Sequence, residues 1–479
     1  MKRVLIAAMF LALLITSGAR GESRFKRAAL RDGSGTALRE YDDAGRILSI
    51  AYFDNDGAPM AVKGSHTLLR DYDDAGNVIR ERCLDAAGNF TLCSLGYAAV
   101  IRRFDAQGRA TEMRYYDAQG RPAPCRQGYA AVEYFYGDGD KPILKKYYDA
   151  DGAAADVHGC QQVAMDYDAA GNLVAERWLD AQGNRVNGDA GYAAVVTRYD
   201  DGNRVQARSY FDADGAPVVI DKGYAAIVTQ RDADGNAELE RYLDAYGESV
   251  AVNDRYSAVH KTYDQDGRVT SIEYLDAEGN LTRFGNRNYA MIVYDYDADG
   301  NRLSERYFDA DRKPVIAWAG SRAATLWTYD DQGRVTSERY YDADGEPMFI
   351  KANYAGYTAE YSGDGTVQTL TYIRPGGDPV KPTSTMPYVK LRRTYDSTGE
   401  LLLKEEYLDN EGNPTRNRAY VYGRMHEYDD QGREVRSYTF GLDGHITGGR
   451  SMAAITEYTY DQYGRRVAQR FTKSGQPLK

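Results

Sequence analysis

Short bursts of alternating apolar and polar residues run the length of this chain, and each burst ends at a turn rich in Asp and Gly. In one burst Ala193, Val195, Thr197 and Tyr199 fall on one side, and Tyr192, Ala194, Val196 and Arg198 on the other. A period of two is that of a β-strand, whose successive side chains point to opposite faces. The turn after such a strand reads YDAAGN at Tyr167–Asn172. Its Asp caps its own turn, and its Gly supplies the positive φ of a compact hairpin loop. A second strand follows, as in LVAERWLD at Leu173–Asp180, and a D-A-x-G turn reverses the chain again. A variable arm, often led by proline (Pro122, Pro217, Pro314, Pro347), then leads into a GYAAV segment, with good copies at Gly96, Gly128, Gly191 and Gly223. Proline lacks a ladder donor, so the arm reads as an edge, a loop or a short irregular strand. Outside the N-terminal apolar run, no ten-residue stretch sustains a 3.6-residue apolar period between caps. The pattern predicts an all-β protein with at least two strands per unit.

The unit recurs throughout. The aromatic residue before the first turn, or its substitute, stands at Tyr41, Tyr72, Phe104, Tyr136, Tyr167, Tyr199, Arg231, Tyr263, Tyr296, Tyr329, Tyr361, Tyr395, Tyr428 and Tyr460. Successive spacings lie between 31 and 34 residues, which makes the chain about fourteen tandem copies rather than a set of globular domains. A lone hairpin is marginal in water, so each copy needs its neighbours. Two arrangements compete. In a solenoid, equivalent residues stack about 4.8 Å apart, whereas in an antiparallel meander an intervening strand doubles that spacing. The dipeptide Glu-Arg recurs at one repeat position (Glu81-Arg82, Glu176-Arg177, Glu240-Arg241, Glu305-Arg306, Glu338-Arg339), the last two in adjacent copies. Like charges set directly opposite one another are destabilising, so the expectation is the meander: an elongated or spiralling antiparallel array of β-hairpins.

The first 21 residues, MKRVLIAAMFLALLITSGARG, change the picture of where the protein works. Lys2 and Arg3 precede a twelve-residue apolar run, Val4–Ile15, and Ser17 and Ala19 suit a signal peptidase. That run is short for a bilayer span. The expected organisation is a signal peptide over 1–21, a lead-in or cap over 22–40 and the repeat array over 41–479. The mature chain is expected to be secreted, periplasmic or at the cell surface, with no membrane span after signal removal. A net charge of −11 with dispersed Lys and Arg disfavours nucleic acid as a partner, because phosphate binding needs concentrated positive charge. The chain holds 42 Tyr against 12 Phe and 3 Trp, and Tyr suits a half-wet pleated surface.

The run Y-D-x-x-G-[RN]-[ILV] appears as YDDAGRI from Tyr41, YDDAGNV from Tyr72, YDAAGNL from Tyr167, YDQDGRV from Tyr263 and YDDQGRV from Tyr329. It resembles the YD repeat of the RHS family of bacterial surface and toxin proteins, over essentially the whole chain after the signal segment. The resemblance implies a long antiparallel β-ribbon that coils into a spiral, in some members closed around a toxin. The family's D-P-x-G-x cleavage motif has no counterpart: Asp378-Pro379 sits in GGDPVKP, and the last residues fall inside the fourteenth copy. Encapsulation and self-cleavage are therefore not expected.

Candidate chemistry is sparse. Asp295, Asp297, Asp299 and Gly300 match positions 1, 3, 5 and 6 of a calcium loop, but Arg306 stands where a bidentate Glu is required, so a structural turn is expected and no metal. His66, His158, His260, His426 and His445 are scattered, and the carboxylates recur at turns in every copy. Neither pattern marks a catalytic centre, and no cofactor is expected. Cys83, Cys93, Cys125 and Cys160 are even in number in an exported chain, which favours disulfides. Cys83 and Cys93 flank one turn. Cys125 and Cys160 lie in corresponding regions of adjacent copies, and the preferred pairing is Cys83–Cys93 with Cys125–Cys160. A Cys93–Cys125 pair would join near-equivalent positions, which a meander holds apart.

The remaining feature is an aromatic series before the second turn, including Tyr52-Phe53, Tyr115-Tyr116, Tyr147-Tyr148, Tyr210-Phe211, Tyr242-Leu243, Tyr274-Leu275, Tyr307-Phe308 and Tyr340-Tyr341. One member of each pair is expected in the core and the other exposed. Tyr115, Tyr147, Trp178, Tyr210, Tyr242, Tyr274, Tyr307 and Tyr340 are the candidate ligand surface. The expected function is a non-catalytic structural, adhesive or protein-interaction role at the cell envelope. A carbohydrate- or cell-wall-binding array using the Tyr series is the first alternative, and a glycosidase-like enzyme the second.

Overall fold

The computed structural model describes residues 25–30, 35–54, 57–252, 255–317, 322–429, 432–449, 452–460 and 466–478. The expected signal peptide (1–21) lies outside them. Within the described residues are 29 strands, β1 to β29, all in one open antiparallel sheet. From β1 (Phe25–Ala29) and β2 (Thr36–Tyr41) to β28 (Ile455–Tyr460) and β29 (Arg466–Phe471), each strand pairs with the strands before and after it in sequence. The 28 strands after β1 therefore form fourteen hairpins, in the meander arrangement. Among the described residues the only helical segment is a three-residue 3₁₀ turn at Gly285–Arg287. It is too short to cross a membrane, which says nothing about strands.

The sheet alternates long and short ladders. Strands β20 (Ala324–Tyr329) and β21 (Val335–Tyr341) pair from Ala324↔Tyr341 to Tyr329↔Val335, with a bulge between Thr328 and Tyr329. Between β21 and the next hairpin, β22 (Gly356–Tyr361) and β23 (Val367–Ile373), only three residue pairs form: Ser337↔Thr358, Glu338↔Tyr357 and Arg339↔Gly356. The Glu-Arg dipeptides answer to intervening strands, as the charge argument requires. Arg82 pairs with Asp71 at 2.6 Å, Arg177 with Asp166 at 2.6 Å, and Glu81 with Arg70 at 3.2 Å.

One end of every hairpin carries the first turn. The other carries the second turn and the arm, which folds back over the sheet. Proline fits the arm because it meets the preceding strand only through an isolated bridge, as at Tyr116↔Pro122 and Tyr341↔Pro347. A third tight turn ends the arm: the Cys125 amide donates to the Tyr129 carbonyl and the Gly128 amide to that of Cys125. Arm residues such as Cys125, Ala155, Val157 and Val252 pack with Tyr97, Tyr129, Tyr210 and Tyr224 in separate small clusters spread along the sheet. Among the described residues no single core forms. Each repeat buries its own cluster against the next.

Candidate functional site: the repeat clamp and the tyrosine ladder

In the Y-D-x-x-G-R motif Asp and Gly shape their own turn, and Tyr and Arg join one repeat to its neighbour. In the copy at Tyr329, the Asp330 carboxylate accepts the amides of Gln332 (3.0 Å) and Arg334 (2.9 Å) and the Arg334 Nε (2.7 Å). Those bonds, the Arg334 side chain first, hold the Asp330 carboxyl below its ordinary range. Gly333 takes φ of 74°, the left-handed region a side chain resists. The Arg334 guanidinium then lies 4.2 Å from the ring centroid of Tyr361, the motif tyrosine of the next repeat. The Tyr361 hydroxyl donates back to the Val335 carbonyl at 3.0 Å, at the point where the inter-hairpin ladder stops. A phenol thus supplies the donor that the departing strand no longer offers.

The same clamp recurs along the chain. Arg46, Arg109, Arg268 and Arg433 lie over Tyr72, Tyr136, Tyr296 and Tyr460 at 4.5 to 5.2 Å. The hydroxyls of Tyr72, Tyr136, Tyr263, Tyr428 and Tyr460 donate to carbonyls of the preceding repeat at 2.7 to 2.9 Å. Where Arg231 replaces the tyrosine, its guanidinium donates to the Val205 carbonyl at 3.2 Å. Where Asn replaces the arginine, its amide returns to the capping Asp, as Asn172 does to Asp168 at 3.0 Å. The partial calcium pattern is consumed in the same way: Asp295 holds Arg306 and Ser304, and Asp297 accepts the amide and side chain of Asn301. Among the described residues no group of three or more His, Cys, Asp or Glu is placed to hold a metal.

The aromatic series forms a ladder on one face, at the arm end. Its members alternate between the tyrosine before the second turn and the opening tyrosine of the next GYAAV segment, which the sequence reading passed over. Tyr97, Tyr115, Tyr129 and Tyr147 form one run, and Trp178, Tyr192, Tyr210, Tyr224, Tyr242, Tyr256, Tyr274, Tyr289 and Tyr307 a second. Tyr340, Tyr354, Tyr372, Tyr388 and Tyr407 form a third, with ring centroids 4.8 to 6.2 Å apart throughout. The ladder breaks where Cys160 and Arg322 take the place of an opening tyrosine. Arg322 spans its gap by lying 5.0 Å over Tyr340.

Of the eight ladder residues singled out from sequence, Tyr210 and Tyr340 are buried, and Tyr115, Tyr147, Trp178, Tyr242, Tyr274 and Tyr307 are half-buried. The expectation that one member of each pair lies in the core and the other is exposed needs correction. Tyr116, Tyr148 and Tyr341 are half-buried too, because each lies opposite a small residue (Ala99, Ala131, Ala324) that leaves room for the ring. Beside Trp178 a cavity of about 210 Å³ opens on the ladder face.

The structure records all four cysteines as free thiols. Cys83 and Cys93 are brought together: the arm folds so that the Thr91 amide donates to the Cys83 carbonyl, and both cysteines join the cluster of Tyr97 and Val100. A hydrogen bond between their side chains pushes the Cys83 thiol up and draws the Cys93 thiol down. Cys125 holds the same arm position as Cys93, its amide donating to the Tyr129 carbonyl as that of Cys93 does to Tyr97. Cys160 instead takes the ladder position and packs with Val163 and Met165.

No family model matches the chain, and no curated protein does. Solved structures show remote likenesses. A Tc holotoxin pore from Photorhabdus luminescens aligns at 12% identity over 94% of this chain and 23% of its own, with a TM-score of 0.33. A TcdB2–TccC3 crystal structure aligns at 11% identity over 97% and 29%, TM-score 0.28. Another, without its hypervariable C-terminal region, aligns at 13% over 90% and 26%, TM-score 0.26. The chain spans about a quarter of the length of these structures, and superpositions this loose carry no argument.

Proposed function

We propose that the chain is an exported, non-catalytic repeat protein that presents a long, regular β-surface to a partner protein at the cell envelope. The observation that carries this reading is the clamp. The recurring Tyr and Arg join repeat to repeat, and Asp and Gly shape the turn that presents the Arg, so the motif's product is an extended scaffold. The basic and apolar residues of the first 21 positions support export, and their pattern suits a cleaved signal. The exposed rim of first turns, carrying Asp43, Asp74, Asp201, Asp234, Asp266, Asp299, Asp331 and Asp364, offers a repeating surface free for contact.

The test combines location with contact. In its own host, a C-terminally tagged chain is expected outside the cytoplasm, shortened by about 20 residues. A photo-crosslinker at Asp299 or Asp331 is expected to give a discrete adduct with an envelope protein, and one at buried Tyr340 none. Retention in the cytoplasm, or turnover of chromogenic glycosides by the purified chain, contradicts the reading.

A further inference from the structure

Five Glu-Arg dipeptides place a glutamate on the ladder face, and four of the five glutamates have partners. Glu81 accepts from Arg70 at 3.2 Å, and Glu240 and Glu305 accept from the phenols of Tyr242 and Tyr307, two residues on. Glu338 accepts from the Trp327 indole at 3.1 Å and the Tyr357 phenol at 3.2 Å. In the fifth copy the residue two positions on is Trp178, which has no phenol to give. The Glu176 carboxylate makes no hydrogen bond or ion pair among the described residues. It faces the cavity of about 210 Å³, together with Trp178, Tyr192, Thr197, Arg208 and Tyr210. Arg208 is exposed and also lacks a partner among the described residues. Trp178 meets Tyr192 edge-on, with centroids 5.1 Å apart and planes at 87°.

We propose that this cavity is a subsite for one pyranose ring of a glycan. The volume falls below the roughly 300 Å³ at which pockets house drug-sized ligands, so a single ring is the fitting unit. A flat indole presents an apolar face to the C–H bonds of a sugar, and its amphipathic neighbours tolerate water. The free carboxylate accepts two sugar hydroxyls through its two oxygens, while the guanidinium and the Thr197 hydroxyl donate to others. One carboxylate and one guanidinium leave the cavity without net charge, so the expected sugar is neutral. The subsite exists because one aromatic ring departs from the pattern and leaves its glutamate unclaimed. It concerns the junction of two adjacent repeats, and it stands or falls separately from the scaffold reading, which concerns all fourteen.

The test titrates the full mature chain with the methyl pyranosides of glucose, galactose, mannose and N-acetylglucosamine, following calorimetry and tryptophan fluorescence. Trp178→Tyr restores the ring usual at this position and gives Glu176 a phenol. Glu176→Gln keeps the ring and removes the charge. Saturable binding of at least one pyranoside, weakened about tenfold or more in both variants with melting temperature unchanged, is expected. If Trp178→Tyr melts early, Glu176→Gln decides alone. No saturable binding to any of the four, or binding that both variants retain, overturns the proposal.

Discussion

At the residue scale, the motif's identity follows from geometry at one turn. Gly333 sits at φ 74°, where an L side chain meets the backbone, so Gly333→Ala is expected to cost about 1–2 kcal/mol in chemical denaturation. An unchanged denaturation midpoint would contradict that. Turn aspartates such as Asp330 and Asp168 are held below their ordinary range by the side chain four residues on and by backbone amides. Their folded pKa is depressed, so the stabilisation is present above the ordinary Asp value near 3.8. It is lost as pH falls through the lower folded values. The expected melting temperature is level from neutrality to about pH 5 and falls steeply below about pH 4. Protonating so many caps together should make acid unfolding abrupt. The role of Asp and Gly was legible in the sequence, because both act within their own turn. The roles of the tyrosine hydroxyl and the arginine were not, because their partners lie in the preceding and the following repeat, some 26 to 30 residues away in sequence.

At the element scale, the alternation of period two and the Glu-Arg charges were enough to read the hairpin and the meander. The arm was harder. Its backbone makes isolated bridges rather than a ladder, so its sequence is free to vary, and only the fold shows that it returns to the tyrosines. The same folding brings Cys83 and Cys93 into contact across the second turn. In an oxidising compartment the two are expected to form a disulfide by exchange with an external disulfide, the Cys93 thiolate attacking first, because the hydrogen bond from Cys83 draws its pKa down. Peptide mapping without reduction, with cleavage at Asp85 between them, is expected to show the two halves still joined. Alkylation of both as free thiols in the secreted protein contradicts this. The opening tyrosines escaped the sequence reading for a related reason. Ladder neighbours such as Tyr115, Tyr129 and Tyr147 are 14 and 18 residues apart, and neither spacing is the repeat period.

At the scale of the whole molecule, the protein is one open sheet whose stability is summed from small clusters and repeated interfaces rather than drawn from one core. Burial raises ladder phenols such as Tyr147 and Tyr388: Tyr147 is pushed up to about 12, by burial first and then by Cys160 and Glu176, and Tyr388 to about 12, by burial first and then by Tyr407. The fold therefore prefers these phenols neutral. The stabilisation is full below the unfolded tyrosine value near 10 and is lost as pH rises through the folded values. Phenolate absorbance is expected to rise in two stages, exposed tyrosines first and ladder tyrosines only with loss of β-structure. A single transition near 10, with the sheet intact, contradicts a buried ladder. The arginine and tyrosine of the recurring motif bind one repeat to the next. A double-mutant cycle of Arg334→Met and Tyr361→Leu, read by denaturant unfolding, tests it most directly, because the guanidinium and the ring belong to adjacent repeats. A coupling of about 0.5–1 kcal/mol favouring the native pair is expected. Additivity of the two substitutions within about 0.3 kcal/mol would contradict the account.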